Sequence, residues 1–174
     1  MSRTPPPPVT IELLADRPDL LTPLAHIRWR EWGDEPGRQD LQWWIDTTIN
    51  ESGRETPPVT FVAVNPVDQA VGGVGLAPFD PPERTDRGPW VVGTIVRADR
   101  RGEGVGTALM NHLRQWATTA GITQLWVATG RPAIDFYRAC GFAITEVLDR
   151  NNGEQTTILA AQLTHPPTAN TTDE

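Results

Sequence analysis

The segment from Val91 to Gly121, VVGTIVRADRRGEGVGTALMNHLRQWATTAG, constrains the fold more than any other part of the chain. The β-branched apolar run at its start predicts a strand, and the amphipathic pattern from about Val105 to Ala120 predicts a helix. Between them, an arginine-rich turn leads into glycines at alternating positions, Gly102, Gly104 and Gly106. Glycines allow close backbone approach, and the first helical turn leaves about four N–H groups unpaired beside a partial positive charge. The segment therefore predicts a binding site for a phosphate or another anion.

Hydrophobic periodicity in the rest of the chain predicts a sheet flanked by helices. Strands are expected over residues 9–14, 60–64, 70–76, 91–96, 123–128 and 156–163, and one more is expected to begin at 142. Helices are expected from about 16 to 32 and over 39–50, 105–120 and 132–140. Short turns join the early strands, which should be antiparallel, whereas the strand–helix–strand unit from Val91 to Ala128 should be parallel with a right-handed crossover. The prediction is an α/β fold with a mixed, mostly antiparallel central sheet in the order β-α-α-β-β-β-α-β-α-β-β.

Length and composition predict one domain over residues 9–164, after a Pro-rich leader at 1–8 and before a flexible tail at 165–174. No apolar run approaches the roughly 18 residues of a membrane span, and the N-terminus lacks the apolar core of a signal peptide. The single cysteine, Cys140, cannot form an internal disulfide, which favours a cytoplasmic location. The net charge of −7 disfavours nucleic acid as a partner.

The basic residues narrow the choice of anion. All 15 are arginines, so the lysine of a Walker loop is missing, and the alternating glycines do not fit the G-x-G-x-x-G spacing of a Rossmann turn. Arg97, Arg100 and Arg101 form the densest basic cluster and lie at the glycine turn. A local positive site on an acidic protein suits an anionic cofactor together with a cationic second substrate. No metal-ligand cluster is visible, so no metal is expected.

Two motifs resemble those of the GNAT superfamily of N-acetyltransferases. Arg101-Gly102-Glu103-Gly104-Val105-Gly106 matches the signature Arg/Gln-x-x-Gly-x-Gly/Ala, and Ala133 to Phe142, AIDFYRACGF, resembles the later pattern A-x-x-x-Y-x-x-x-G-F. The order of strands and helices is also similar. The resemblance implies a GNAT-type fold and an acetyltransferase that uses acetyl-CoA as its co-substrate.

The resemblance also implies which residues bind acetyl-CoA. Its pyrophosphate would lie on the amides of Gly102 to Thr107, near Arg101 and either Arg97 or Arg100. Its pantetheine arm would pair with the backbone of Thr94 to Val96. The backbone N–H of Ile95 or Val96 would face the thioester carbonyl, where negative charge develops. Gly130 replaces an asparagine often found in relatives, which makes the neighbouring Arg131 a candidate contact. The implied cofactor-binding set is Thr94, Ile95, Val96, Arg97, Arg101, Gly102, Glu103, Gly104, Val105, Gly106, Thr107, Arg131 and Tyr137.

Tyr137, the only tyrosine, occupies the position where the family commonly keeps its general acid. A phenol with a pKa near 10 can protonate a departing thiolate. The alternative is an aromatic core residue whose hydroxyl has a partner. The identity of the general base stays open, because the predicted strand before the glycine turn has no carboxylate. The candidates are a water chain, Glu31, Asp34, Glu35, Asp80 and Glu83.

The acceptor is expected to be the primary amine of a small molecule, which attacks the thioester directly. Trp29, Glu31, Trp32 and Asp34 are candidate acceptor-binding residues, because indole faces and carboxylates attract an ammonium group. Core packing is the alternative role for the tryptophans. Two other functions are considered: a protein or peptide N-acetyltransferase, and an acyl-CoA sensor without turnover. Family relatives often dimerise, so a homodimer is possible.

Overall fold

The computed structural model describes residues 8–164, in which seven strands and four α-helices follow one another in the predicted order. The predicted tail and, apart from Pro8, the predicted leader lie outside the described residues. The elements are β1 (Thr10–Leu13), α1 (Leu21–Trp32), α2 (Leu41–Asn50), β2 (Val59–Val64), β3 (Ala70–Ala77), β4 (Trp90–Val96), α3 (Val105–Thr119), β5 (Gln124–Thr129), α4 (Ile134–Ala139), β6 (Ala143–Asp149) and β7 (Gln155–Gln162).

The strands form one sheet in the order β1-β2-β3-β4-β5-β7-β6. Every neighbouring pair is antiparallel except β4 and β5, which are parallel, as the sequence predicts. Alternate residues of β2 belong to different hydrophobic clusters. Phe61 and Ala63 pack with the buried side of α3, whereas Val62 and Val64 pack with Leu24 of α1. Because side chains alternate across a strand, helices cover both faces of the sheet.

The start of α1 differs from the prediction. Two 3₁₀ turns, Leu14–Asp16 and Pro18–Leu20, occupy the stretch that the sequence suggests as the first helical turns, and the α-helix begins only at Leu21. Arg17 separates the two turns with a non-helical backbone of φ −129° and ψ 63°. A residue that precedes proline is disfavoured in the α region, which explains the break.

The helix α3 positions the glycine turn against the sheet. Leu109, Leu113 and Ala117 are fully buried and follow helical spacing, so one face of α3 is fixed in the larger hydrophobic cluster. Gly121 adopts φ +83° after the last turn and ends the helix, as is common for a glycine that follows a helix. No helix within residues 8–164 is long and apolar enough to cross a membrane. The cytoplasmic location and the homodimer stay predictions.

Candidate active site

The glycine turn has the backbone of an anion cradle. Gly102 and Gly104 adopt φ values of +79° and +85°, which disfavour other residues. Gly104 is the residue before α3 and provides no side-chain cap, so the amides of the first helical turn stay available for a ligand. Gly106 serves a different purpose: a Cβ atom there would lie 3.2 Å from Cε2 of Phe136. Its lack of a side chain lets α4 pack close to the start of α3.

The sheet opens beside this turn. The parallel strands β4 and β5 pair at Trp90–Trp126 and Val91–Val127, and within the described residues no further pairs join them. From Val92 onwards, β4 pairs with β3 alone, so the backbone of β4 that leads to the glycine turn faces an opening. An extended ligand can pair with such an unpaired strand edge in the way that an additional strand would.

A β-bulge lies where the two strands part. Between Val92 and Ile95, β4 has one residue more than the facing stretch of β3, from Gly75 to Gly73. Gly93 provides it, with φ +60°. A bulge of this kind interrupts the regular ladder of backbone hydrogen bonds between β3 and β4.

A cavity of about 380 Å³, here called the β4 groove, runs from the opening to the glycine turn. Its lining is mostly apolar: Thr94, Ile95, Val96, Gly106, Pro132, Ala133 and Phe136, with Glu31, Trp32 and Arg101 at one side. The structure therefore brings the predicted β4 residues together with Gly106 and Arg101 along one groove. This arrangement fits an elongated ligand that ends in an anion. Arg131 is exposed at the start of the 3₁₀ turn before α4 and does not line the groove.

Tyr137 lies against the same part of β4. Its hydroxyl donates a hydrogen bond to Oγ1 of Thr94 at 2.9 Å, and its ring packs edge-on against Phe136 and Phe142. The side chain is 6% exposed, and this burial raises the pKa of the phenol above its usual 10.0. Tyr137 therefore keeps its proton at neutral pH and holds it beside the strand opening.

The arginines of the glycine turn are paired with carboxylates. Arg101 donates to Glu31 at 2.7 Å and to the carbonyl of Val96 at 3.2 Å. Arg97 donates to Asp99 at 2.6 Å, and this guanidinium lowers the pKa of the Asp99 carboxyl. These pairs are solvent-exposed, and exposed ion pairs are weak. A bound phosphate could therefore compete for either arginine, and their roles stay predictions.

A second cavity, of about 320 Å³, lies on the other side of Trp32 and is called the tryptophan cavity. Its aromatic walls are Trp32, Trp43, Trp44 and Phe79, and the β4 residues Val92 and Gly93 form part of its lining. Trp32 stacks on Trp44 with ring centroids 5.8 Å apart, and Trp43 meets Trp44 edge-on at 4.9 Å. Stacked and edge-on indoles form a rigid apolar wall whose ring faces attract cations.

Charged side chains complete the lining of the tryptophan cavity. Arg28 is buried, and its Nη1 donates to Glu51 at 3.0 Å and to Oγ1 of Thr48 at 3.3 Å. Arg38 pairs with Glu35 at 3.1 Å. Asp80 is the remaining charged residue of the lining, and desolvation by the surrounding protein raises the pKa of its carboxyl. The cavity thus has more carboxylates than guanidinium groups.

The loop between β3 and β4, residues 78–89, brings Phe79 and Asp80 to this cavity. Arg84 forms a two-pronged ion pair with Glu146 of β6, at 2.7 and 2.6 Å, and Arg87 reaches the same carboxylate at 3.3 Å. A further pair joins Glu83 to Arg150. The loop is therefore fastened to the far edge of the sheet, which fixes its cavity-lining residues.

The four predicted acceptor residues occupy different environments. Trp32 lines both cavities, and Glu31 lines the β4 groove, where it pairs with Arg101. Trp29 instead donates its indole N–H to the carbonyl of Gln39 at 3.1 Å and so holds the loop between α1 and α2. Asp34 is exposed in that loop and lines neither the β4 groove nor the tryptophan cavity.

Several lining residues were not predicted from the sequence. Arg28 is the clearest case, because it continues the apolar face of α1 formed by Leu24 and Ile27. A charge in line with apolar residues indicates a buried, paired group, and that signal was available. Glu51 and Phe79 offer no comparable signal, since their position depends on how α2 and the β3–β4 loop pack.

Structural comparison finds similar folds among acetyltransferases. An aminoglycoside 6′-N-acetyltransferase complexed with coenzyme A is 18% identical, with a TM-score of 0.75 over 91% of this chain and 99% of that one. The ribosomal-protein-S18-alanine N-acetyltransferase from Escherichia coli is 19% identical, with a TM-score of 0.65 over 94% and 98%. A nourseothricin acetyltransferase is 27% identical, with a TM-score of 0.52 over 61% and 65%.

Sequence comparison identifies the family. A search of curated protein sequences finds no match. The sequence profile of the acetyltransferase (GNAT) family, however, matches residues 20–142, from the end of the second 3₁₀ turn to the start of β6. This match covers well over half of the chain and includes the glycine turn, the strand opening and Tyr137. The protein therefore belongs to the GNAT family of acetyltransferases, and acetyl-CoA is its acetyl donor.

Proposed function

We propose that the protein transfers the acetyl group of acetyl-CoA to the primary amine of a small molecule bound in the tryptophan cavity. The observation that carries the proposal is the way the two cavities meet. Both are lined by Trp32, and β4 contributes Val92 and Gly93 to one and Thr94 to Val96 to the other. An amine in the tryptophan cavity and a thioester in the β4 groove would therefore approach each other at the bulge. Such positioning is a large part of catalysis for a direct transfer.

The chemistry of the tryptophan cavity favours a small cationic amine over a protein segment. Its volume of about 320 Å³ suits a small molecule, and its indole faces and excess carboxylates attract an ammonium group. The similar structures named above include an aminoglycoside acetyltransferase, a nourseothricin acetyltransferase and a ribosomal-protein acetyltransferase, so the fold alone does not select the acceptor. The aromatic and acidic lining of this chain is what supports the small-molecule proposal.

The residues around the opening have separate tasks in the proposed reaction. Acetyl-CoA supplies the activated acetyl group when bound, and the amides of Gly102 to Thr107 would hold its pyrophosphate. Ile95 or Val96 would direct a backbone N–H at the carbonyl oxygen, where a single donor can be worth about 3 kcal/mol of barrier. Tyr137 would give its proton to the departing sulfur. Its raised pKa and its fixed hydroxyl support this role.

The test is acetyl-CoA-dependent thiol release, measured with a panel of small amines and a panel of peptides. We expect release with cationic small amines and little with peptides. The variant Phe79→Ala should raise KM for the amine, because Phe79 lines the tryptophan cavity while 64% exposed. Val67→Ala is the matched control, since Val67 is 70% exposed in the turn between β2 and β3 and lies outside the cavity.

The other outcomes identify the alternatives. Thiol release with peptides alone would favour a protein or peptide acetyltransferase. Binding of acetyl-CoA without release in either panel would favour the non-catalytic sensor. Equal effects of Phe79→Ala and Val67→Ala on KM for the amine would contradict the assignment of the tryptophan cavity to the acceptor.

A further inference from the structure

The charges that line the tryptophan cavity do not balance locally. Arg28 forms an ion pair with Glu51 at 3.0 Å, and Arg38 forms one with Glu35 at 3.1 Å. Each guanidinium therefore neutralises one carboxylate. Asp80 makes no ion pair with any other residue in the described part of the chain, which leaves one carboxylate without a partner cation at this cavity.

The surroundings of Asp80 raise the pKa of this unpaired carboxyl group. Arg38 from the α1–α2 loop and Arg150 from the β6–β7 turn face it and lower its pKa, while Glu51 from the end of α2 raises it. Desolvation by the surrounding protein is larger than these charge effects, so the pKa stays above its usual 3.8 although Asp80 is exposed at the surface. The Asp80 carboxylate also acts on Tyr137, whose pKa it raises, and so lies within electrostatic range of the proposed acid.

The loop that carries Asp80 is fastened to the sheet. Asp80 is the third residue after Ala77, where β3 ends, and the ion pair of Arg84 with Glu146 joins the same loop to β6. A carboxylate held in this way at a cavity next to Gly93 can meet a ligand without first having to order a flexible segment.

We infer that Asp80 binds the ammonium group of the acceptor and removes its proton, so that Asp80 is the general base of the reaction and the acceptor is an amine that binds as a cation. The inference rests on the proposed function and names its missing proton acceptor. The residue thus complements Tyr137, which handles the proton on the leaving group. Asp80 shares its cavity with Gly93, and Tyr137 bonds the next residue, Thr94, so the two proton tasks would fall to groups at neighbouring positions of β4.

The protons balance in this scheme. Asp80 takes one proton from the ammonium, which frees the lone pair of the nitrogen. The new N–C bond forms as the C–S bond breaks, Tyr137 gives its proton to the sulfur, and the second proton of the nitrogen returns to Tyr137 through solvent. Asp80 finally releases its proton to water, so each turnover yields one amide, one thiol and one proton.

The test compares Asp80→Asn with Asp86→Asn, the same change in the same loop at a side chain that pairs with Arg87 and lies outside the cavity. With a strongly basic alkylamine, we expect Asp80→Asn to lower kcat/KM about 100-fold, in the range of general-base effects, and Asp86→Asn to change it less than about twofold. With a weakly basic amine, which is already neutral at pH 7, the deficit should nearly disappear. The acid limb of the pH profile should also be missing in Asp80→Asn, and Asp80→Glu should restore part of the rate.

Two results separate the inference from the proposed function. If Asp80→Asn equals Asp86→Asn, or if its deficit is the same for strongly and weakly basic amines, the assignment of the base is wrong while the proposed function stands. If the unchanged protein releases no thiol with any amine, both are overturned. Binding of coenzyme A by Asp80→Asn, measured by calorimetry, should match that of the unchanged protein, and a loss of binding would place Asp80 outside the proton-transfer role.

Discussion

The role of the Tyr137 hydroxyl can be tested by the change Tyr137→Phe. Phenylalanine keeps the ring contacts with Phe136 and Phe142, whose centroids lie 5.2 and 5.7 Å away, and removes one hydrogen bond to Thr94. A hydrogen bond of this kind is worth about 0.5–1.5 kcal/mol net, which for a domain of this size lowers Tm by a few degrees at most. A general acid is worth about 10²–10⁴ in rate. If the hydroxyl is only a structural hydrogen-bond donor, Tyr137→Phe should therefore leave a kcat at least ten times higher than if the hydroxyl is the general acid.

The assay is thiol release at saturating acetyl-CoA and amine, with the affinity for coenzyme A and the Tm measured on the same samples. We expect kcat to fall at least 100-fold, and the affinity and Tm to change little. Thr94→Val is the control, because it removes the same hydrogen bond but keeps the phenol, and we expect a much smaller loss of kcat. Since burial raises the pKa of Tyr137 above its usual 10.0, the midpoint of any alkaline loss of kcat that comes from this group should lie above pH 10.0.

The reasoning would be refuted if Tyr137→Phe kept kcat within about threefold of the unchanged protein, because that is less than the smallest general-acid effect expected. It would also be refuted if Thr94→Val lost as much activity as Tyr137→Phe. In that case the hydrogen bond itself, and hence the shape of β4, would be what matters.

Further changes test the glycine turn, the loop clamp and the core. Gly104→Ala should cost about 1–2 kcal/mol at φ +85° and raise KM for acetyl-CoA about tenfold, whereas Gly153→Ala, at φ +81° in the β6–β7 hairpin, should lower Tm similarly without changing KM. Glu146→Gln should lower Tm at neutral pH by removing the partner of Arg84. That pair lowers the folded-state pKa of Glu146 below 4.5, so its stabilisation is complete above pH 4.5 and disappears as the pH falls through the lowered value. The Tm of Glu146→Gln and that of the unchanged protein should therefore converge in acid. Leu109→Ala, at a fully buried site, should lower the free energy of unfolding by about 2–5 kcal/mol in a denaturant titration.

The parts of the structure that the sequence predicts correctly are those with local causes. Gly102 and Gly104 occupy left-handed backbone, Gly121 ends α3, and the apolar spacing of α3 describes its buried face. Each of these depends on a few neighbouring residues. The predicted helix start near residue 16 is wrong, because the proline at 18 begins a 3₁₀ turn and the α-helix starts only at Leu21.

The acceptor side of the site could be predicted only in part, because it is assembled from distant segments. The stretch at 78–89 is rich in proline and charged residues, and nothing within it reveals that Arg84 pairs with Glu146, 62 residues later. Trp32 lines a cavity, while Trp29 holds a loop through Gln39, and the role of each in binding the acceptor stays a prediction. Both tryptophans lie on α1, and only the packing of α2 against it decides which one lines the cavity.

The short pairing between β4 and β5 has a thermodynamic consequence. It leaves the sheet as two sections, β1–β4 and β5–β7, which share two residue pairs of main-chain ladder. A ligand that lies between β4 and β5 contacts both sections and binds only the folded protein, so its binding raises the free energy of unfolding. At a ligand concentration 100 times Kd, this linkage adds about 2.7 kcal/mol to the free energy of unfolding. At a high concentration of acetyl-CoA, the protein is then more stable against unfolding than it is without the ligand.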